Sequence, residues 1–485
     1  MFKPKQLTLN DIYAGCIDSF DNDKPGFLSL LSEHIDLDAL IHKGFVDRFY
    51  KWTGRPRKYP LTGFIMMLII QRLFSIPTDR LLLIVLHYSK ELREFCGFDK
   101  LPDASMITRF KQKFADDLGI MFDRLVDLTE PICQDIDEGL ARVTIFDTSG
   151  IEAYVRENNP KFIDTLIRGL KAWKKAQGID EGFDPYKAAY SRMPSHAAAE
   201  PAIKQMHING HFCYAYKFGI VTNGLGIVRD ITLYDEEFIA AHPEIEIEKK
   251  EDSPDEDKTL GDAKSLIPTL EGFFERHPSI KPSVFIGDSS FDSAEIYAKL
   301  LGKDGFGFDK AFIPLNSRGL KYPDCPLNEN GVPCCPNDTS LPMKPESGKS
   351  NFKCGRPTFK FVCPKMKWVT VDGKSCRRTS CENPCTDSPC GRMFYVYPEK
   401  DLRTFPGTIR GTDEWDETYK VRGTVEKSIN HFKGSFCLAG RKSRNALTSK
   451  ADLYLAGITQ LVSVLLADSI HKRDYIRSLK PLIAA

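Results

Sequence analysis

Tyr419-Lys420-Val421-Arg422-Gly423-Thr424-Val425-Glu426-Lys427-Ser428-Ile429-Asn430-His431-Phe432-Lys433 is the stretch on which the reading of this chain turns. Tyr419, Arg422, Glu426 and Lys433 stand at offsets of zero, three, seven and fourteen. At roughly 100° per residue on an α-helix, all four project within about 60° of one another. One acid is thereby flanked by an aromatic hydroxyl and two cations, the equipment for setting a metal ion beside phosphates. Val425, Ile429 and Phe432 give the same helix an apolar flank with which to dock on a sheet. An ordinary surface helix also carries Arg and Glu four apart as a weak ion pair, so the stretch gains meaning only from what the rest of the chain supplies.

Two further acids supply it. Ala141 to Phe146 reads as a short apolar strand that stops at Asp147, and Ser283 to Gly287 as a second buried strand that stops at Asp288. Between them, His211 to Tyr234 reads as a hairpin joined at Asn223-Gly224, the pair that best tolerates the positive φ angles of a type I′ turn. Phe162 to Ala176, Ala263 to His277 and Ala294 to Leu301 have helical periodicity. Two strands ending on Asp and a later helix presenting Glu suit hard divalent cations, because Mg²⁺ takes carboxylate oxygens and needs acids from separate elements to converge. Two such ions about 3.5–4 Å apart activate the attacking oxygen and stabilise the leaving one in phosphodiester chemistry.

With these residues in place, the chain resembles the bacterial insertion-sequence DDE transposases that carry the YREK signature. Tyr419-x2-Arg422-x3-Glu426-x6-Lys433 matches that signature at every fixed position, and Ile145-Phe146-Asp147-Thr148 and Ile286-Gly287-Asp288-Ser289-Ser290-Phe291-Asp292-Ser293 resemble its first and second acid blocks. Gly54-Arg55-Pro56 and Ser105-x3-Arg109-Phe110 extend the likeness, which runs from about residue 45 to 470. The resemblance implies an α/β fold: an RNase H-like catalytic core with a helical N-terminal domain and an inserted Cys-rich β domain. The corresponding boundaries are 1–135 for the helical DNA-binding domain, 136–301 and 406–485 for the two parts of the core, and 302–405 for the insertion. There is room for it, since Asp288 and Glu426 lie 138 positions apart.

The resemblance further implies that Asp147, Asp288 and Glu426 are catalytic and hold two Mg²⁺ (or Mn²⁺) ions, while Tyr419, Arg422 and Lys433 grip phosphates. The implied partners are DNA, as the element's terminal inverted repeats and as target, and a second copy of the chain in a homodimer on DNA. The implied reaction is hydrolysis that exposes a 3′-hydroxyl, followed by attack of that hydroxyl on target DNA. Some relatives hold a flipped base with an inserted-domain tryptophan; Trp368 lies in that segment and reads instead as a buried structural residue. Two rivals share these residues: a nuclease of the same fold without strand transfer, and a DNA-binding derivative that no longer cuts. The presence of all three acids argues against the second.

The N-terminal part adds a basic, proline-stiffened loop with Arg55, Arg57 and Lys58 before a helix from Leu61, and turn and N-cap chemistry at Pro102 to Ser105 before a helix bearing Arg109, Lys111 and Lys113. A helix-turn-helix reader of DNA and a plain helical bundle with a polar face both fit. Net charge is only +1, yet Tyr419 to Lys450 holds eight Lys or Arg against one acid, whereas Asp230 to Asp262 is dominated by acids and reads as a solvated face. A phosphate backbone responds to the local charge.

Nine of the fourteen cysteines fall between Cys325 and Cys390. In a reducing compartment such a cluster suggests thiolate ligands more than disulfides. Four of Cys363, Cys376, Cys381, Cys385 and Cys390 could close one structural zinc site; none of the spacings is CxxC, and reduced thiols packed as small hydrophobes are the alternative. Met1 to Asp11 lacks the apolar region of a signal peptide, and the runs Phe64 to Ile70 and Leu81 to Leu86 are far shorter than the ~20 residues of a membrane span. A cytoplasmic location without membrane contact follows as the expectation, with both runs as buried helix. The apolar stripe of Leu453, Leu455, Ile458, Leu461, Leu465 and Leu466 marks a final helix that serves the core or a dimer contact.

Overall fold

A computed structural model describes residues 26–483 apart from 52, 54, 179–181, 209, 251–252, 303, 317, 319–324, 347–357 and 399. Gly54, Cys354 and the opening segment from Met1 to Asp11 lie outside the described residues. The fold is mixed α/β around one seven-stranded sheet. Its strands are β1 (Val143–Glu152), β2 (His196–Ala197), β3 (Glu200–Ile208), β4 (His211–Thr222), β5 (Val228–Leu233), β6 (Val284–Ile286) and β7 (Lys310–Phe312). They lie in the order β2-β3-β4-β1-β6-β7, with β5 also paired to β4. The helices that position the site are α1 (Leu61–Leu73), α2 (Asp79–Tyr88), α3 (Ala104–Lys113), α4 (Ala115–Ile136), α5 (Pro160–Gln177), α6 (Asp262–Arg276), α7 (Ala294–Leu301), α8 (Asp413–Lys420), α9 (Gly423–Asn430) and α10 (Ala446–Ser469).

β1 is central, antiparallel to β4 on one side and parallel to β6 on the other, so Thr144, Ile145 and Phe146 are all buried and the strand loses the alternation of a half-exposed one. β4 is antiparallel to β1, β3 and β5, while β1, β6 and β7 run parallel. Parallel neighbours need long crossovers; α6 precedes β6, and α7 lies between β6 and β7.

Three expectations about the sheet are corrected. β1 does not stop at Asp147 but continues to Glu152, because β4 keeps pairing with it as far as Ala215. The hairpin of β4 and β5 forms, but its connection spans residues 223–227 instead of a two-residue turn at Asn223-Gly224. Asn223 closes that loop by donating its N–H to the Ile227 carbonyl (3.0 Å) and accepting the Ile227 N–H on its side chain (3.0 Å), and the positive φ falls on Gly226. Finally, β7 belongs to the main sheet although its residues lie within 302–405.

The helices and the sheet share one continuous hydrophobic core. α10 is long and apolar enough to cross a membrane by length and composition, but it is buried against the other helices and β5. Gly457 permits the close approach: a Cβ there would lie 2.6 Å from the Phe122 ring and 2.9 Å from Ile231. Asp452 of the same helix meets Arg72 (2.7 Å) and Lys111 (3.0 Å), both buried, and Lys111 reaches Asp79 (2.9 Å). Removing one member would strand a buried charge, which costs several kcal/mol. α1 is buried almost throughout as expected; in α2 only Leu82 and Leu86 are buried, whereas Leu81 and Ile84 are exposed, because that helix has a single packed face.

The described residues of 325–405 carry short antiparallel strand pairs around a small core of their own, built from Cys325, Val332, Met343, Phe361, Val396 and Phe405. Trp368 is 58% exposed, contrary to its reading as buried. It sits on a two-stranded ribbon, Met366–Val371 with Lys374–Thr379, and the Arg377 guanidinium lies over its ring at 4.7 Å. The chain returns to the sheet through Arg403, paired with buried Asp292 (3.1 Å), and Arg410, which donates to the Ile313 carbonyl (2.9 Å) and the Tyr297 hydroxyl (2.7 Å). This anchor sets where α8 begins.

Candidate active site

The parallel register of β1 and β6 pairs Ile145 with Ile286. Two residues beyond that pair stand Asp147, within β1, and Asp288, just past the end of β6. β6 ends at Ile286, and Asp288 caps the following short turn by accepting the Ser290 N–H (2.7 Å) and hydroxyl. Gly287 is required by crowding, since a Cβ there would lie 2.8 Å from the Phe291 ring and 2.9 Å from that of Phe285. Asp147 accepts the Thr148 N–H (2.8 Å).

The third acid arrives on an interrupted helix. α8 ends at Lys420, the chain tightens through Val421 and Arg422 with bonds three residues back, α9 resumes at Gly423, and from His431 to Ser435 the turn widens to a π-helix. The unbroken α-helix expected over 419–433 is therefore corrected, and ideal 100° spacing does not carry through to Lys433. The side chains converge nonetheless. One Arg422 Nη atom lies 3.6 Å from Asp147 and 4.0 Å from Asp288, and the other donates to Glu426. Lys433 donates to the Ser149 hydroxyl (2.7 Å), on the strand face shared with Asp147. Tyr419 is half-buried and stacks on Trp415 with ring centres 4.7 Å apart. Docking comes from buried Val425 and Ile429 as expected, and from Ser428, whose hydroxyl donates to the Gly226 carbonyl of the hairpin loop.

Burial raises the Asp147 carboxyl to about 6; Asp288 and Asp262 push the same way, against Arg422 and the Thr148 N–H. Burial opposes the charge on Arg422, but Asp147, Tyr419, Glu426 and Asp288 together hold its pKa above the ordinary value. Burial lowers the Lys433 ammonium. His431 is pushed down to about 4 by burial, with Lys480 adding to the effect, and is neutral near pH 7.

Asp262 went unnoticed in the sequence reading. It accepts the Thr148 hydroxyl (2.6 Å) and pairs with Lys217, and with Asp147, Ser149 and His207 these residues line a groove of about 480 Å³. The available signal was Lys217 itself, a lysine inside the apolar run Tyr214 to Val221 that must find an acid when buried. Among the described residues, no three His, Cys, Asp or Glu side chains are assembled to hold a metal ion as they stand. The three acids meet through Arg422.

Arg57, Lys58 and Arg109 also come together, with Lys113, around a cavity of about 250 Å³ floored by Phe49, Phe64 and Phe110. Arg57 donates to the Phe49 carbonyl (3.0 Å) and lies over its ring, and Arg109 donates to the Ser105 hydroxyl (2.7 Å). Arg55 is not part of that lining. Of the five candidate zinc ligands, Cys363, Cys381 and Cys385 line one small cavity, joined by Cys335; all four are free thiols. Cys376 and Cys390 are not part of it; Cys376 sits on the exposed ribbon opposite Val369.

Residues 16–113 match the family described as Transposase domain (DUF772). The matched residues include Arg57, Lys58 and Arg109 of the N-terminal cleft. No curated protein matches the sequence. Among solved structures, a piggyBac transposase synaptic complex with hairpin DNA aligns with 97% of this chain and 78% of that one, at 12% identity and a TM-score of 0.36.

Proposed function

We propose that this chain is a DNA transposase with an RNase H-like core that cuts and joins DNA at Asp147, Asp288 and Glu426 by a DDE, two-metal reaction. One observation carries the reading: three acids far apart in sequence meet around the Arg422 guanidinium. The strand order β5-β4-β1-β6-β7, antiparallel then parallel, supports the RNase H-like assignment, and the match of residues 16–113 to the transposase-domain family supports the reaction class.

The donor set fits Mg²⁺ or Mn²⁺, being all carboxylate without thiol or imidazole. Burial, with a smaller push from Asp288 and Asp262, makes ionisation of Asp147 costly, and a cation in the pocket would relieve that cost. Asp147 and Asp288 would hold the ions and Glu426 would complete their shell. When bound, the metals supply Lewis-acid stabilisation of the attacking and leaving oxygens. Arg422 would exchange its acids for a DNA phosphate, and Lys433 and the Tyr419 hydroxyl would bind neighbouring phosphates. Hydrolysis at the element's terminal inverted repeats frees a 3′-hydroxyl; its oxygen then bonds to a target phosphorus while the target's own 3′-oxygen departs. The Arg57, Lys58 and Arg109 cleft, flanked by Arg55, would hold element ends, and two chains on DNA would present two active sites to two ends. Cys335, Cys363, Cys381 and Cys385, which line one cavity but are not assembled around a metal as they stand, would close on one structural zinc with no part in the reaction.

The test is incubation of purified chain with DNA bearing the sequences that flank its own coding region, in Mg²⁺ or Mn²⁺. Nicks at the ends followed by joined products are expected. Nicks without joining would make the protein a nuclease, and intact DNA in both metals would make it a binding protein.

A further inference from the structure

A cavity of about 760 Å³ lies at the far end of β1, away from the acids and outside the site described above. Glu152, Tyr154, Arg156, Lys442 and Arg444 are part of its wall. It is connected to the acids by a continuous seam. β1 and the chain after α9 run together, joined by Lys433 to Ser149 (2.7 Å), Lys442 to Glu152 (2.7 Å) and the Tyr154 N–H to the Ser443 carbonyl (3.2 Å). From Asp147 to Glu152 the strand covers about 16 Å at ~3.3 Å per residue.

The wall chemistry selects an anion with an aromatic component. Its acids are already committed, Glu152 to Lys442 and Glu157 to the Arg156 Nε (3.0 Å) and the Ala198 N–H (3.2 Å). Arg156 keeps both Nη groups for a further acceptor, and Arg444 has no ion-pair partner among the described residues. Tyr154 is 71% exposed between these cations. Cations that follow a backbone beside an exposed aromatic ring on which bases stack are the features by which proteins hold single-stranded nucleic acid.

We infer that this cavity receives the single DNA strand leading into the acid site, with Arg156, Lys442 and Arg444 on its phosphates and Tyr154 under a base. The assignment rests on the proposed transposase function for the direction of the strand. Its test uses the full chain, fluorescein-labelled dT12 and a 12-bp duplex, with binding followed by anisotropy across a salt series. Arg444→Ala should weaken dT12 binding about tenfold and flatten the slope of log affinity against log salt by ~0.7. Tyr154→Ala should weaken it about tenfold with the slope unchanged, since a ring contributes stacking and no counterion release. Lys175→Ala, at the other end of α5, should bind as wild type. Both test residues are exposed, so melting temperatures should not move.

Wild-type binding by both variants would overturn the inference, as would equal competition by poly-glutamate, which has charge but no bases. If the chain cuts DNA while both variants bind and cut normally, the cavity assignment fails alone. If the binding pattern appears but no DNA is cut in Mg²⁺ or Mn²⁺, the cavity assignment stands and the transposase reading fails.

Discussion

The acid edge of the main sheet and the cysteine-rich segment both declared themselves by residue type, yet the structure treats them differently. At the acid edge, Asp147 and Asp288 are placed by hydrogen-bonded register two residues beyond the Ile145–Ile286 pair, between buried strands that cannot slip without turning their apolar faces outward. In the cysteine-rich segment, strands of two to six residues and a small core leave Cys363, Cys381, Cys385 and Cys390 on irregular backbone, with only Cys334, Cys335 and Cys376 in strands among the described cysteines of that segment. Cys335 joins Cys363, Cys381 and Cys385 across a long sequence gap while Cys376 turns away. Residue spacing predicts side-chain convergence where a ladder transmits it, and does not where the chain is held by loops.

The strongest way to break this comparison is at the acids. Asp147→Asn, Asp288→Asn and Glu426→Gln should each lower cleavage by ~10³-fold or more, the equivalent of the several kcal/mol that metal-assisted charge stabilisation supplies, while binding of element ends stays within a few-fold. Any of the three cutting at wild-type rate in a gel assay removes that residue from the site. Next comes the packing that holds the register. Gly219 faces Thr148 across β4 and β1, and a Cβ there would collide with the Tyr234 hydroxyl and the Phe146 ring. Gly219→Ala should cost ~1–3 kcal/mol of stability, whereas Trp368→Ala on the exposed ribbon should change it by less than ~0.5 kcal/mol. Urea denaturation that ranks them the other way would show that the ribbon, not the sheet, is the packed element.

The cysteines test the other half. If the cavity residues are the ligands, Cys335→Ser and Cys381→Ser should each lower the zinc content of purified protein by about an order of magnitude in affinity, the lower end of what a lost ligand or its support costs, while Cys376→Ser and Cys390→Ser leave it unchanged. Equal loss from all four would mean that the spacing reading was right and the cavity grouping wrong. Zinc-free wild-type protein of normal stability would leave the thiols as packing groups.

What could be read from sequence follows the same division. Ala294–Leu301 was legible to the residue, because apolar periodicity and a Ser N-cap agree there. The convergence of Asp147, Asp288 and Glu426 on Arg422 follows from elements that dock by apolar faces, a pattern that sequence displays. The hairpin was legible but its turn was not: Asn223 spends its side chain on Ile227, and Gly226, not Gly224, takes the positive φ because α9 packs against that loop. The break at Val421–Arg422 was hidden for a similar reason, since the seam along β1, and not local propensity, sets where Lys433 must land. Asp262 was missed because its partners, Thr148 and Lys217, come from two strands that no local pattern joins to the start of α6.

The smallest effect, and the one that sharpens the acid site most, is its pH dependence. Asp147 titrates at about 6 in the folded chain, against 3.8 for an ordinary aspartate. Between these values the folded protein holds a proton that the unfolded chain has lost, so this group's contribution to stability falls as pH rises from about 4 to about 6. A divalent cation requires the ionised form. Mn²⁺ affinity should therefore rise with pH through about 6 and level off above it, by up to tenfold per pH unit on the rising limb. The causes of the shift give its direction in variants: Asp288→Asn removes a like charge and should lower the Asp147 pKa, whereas Arg422→Ala removes the opposing guanidinium and should raise it. Carboxyl ¹³C NMR of metal-free protein reads both shifts without requiring cleavage. An Asp147 pKa near 4 in the wild type, or shifts of the same sign in the two variants, would mean that the carboxyl faces solvent and that the three acids do not share one pocket.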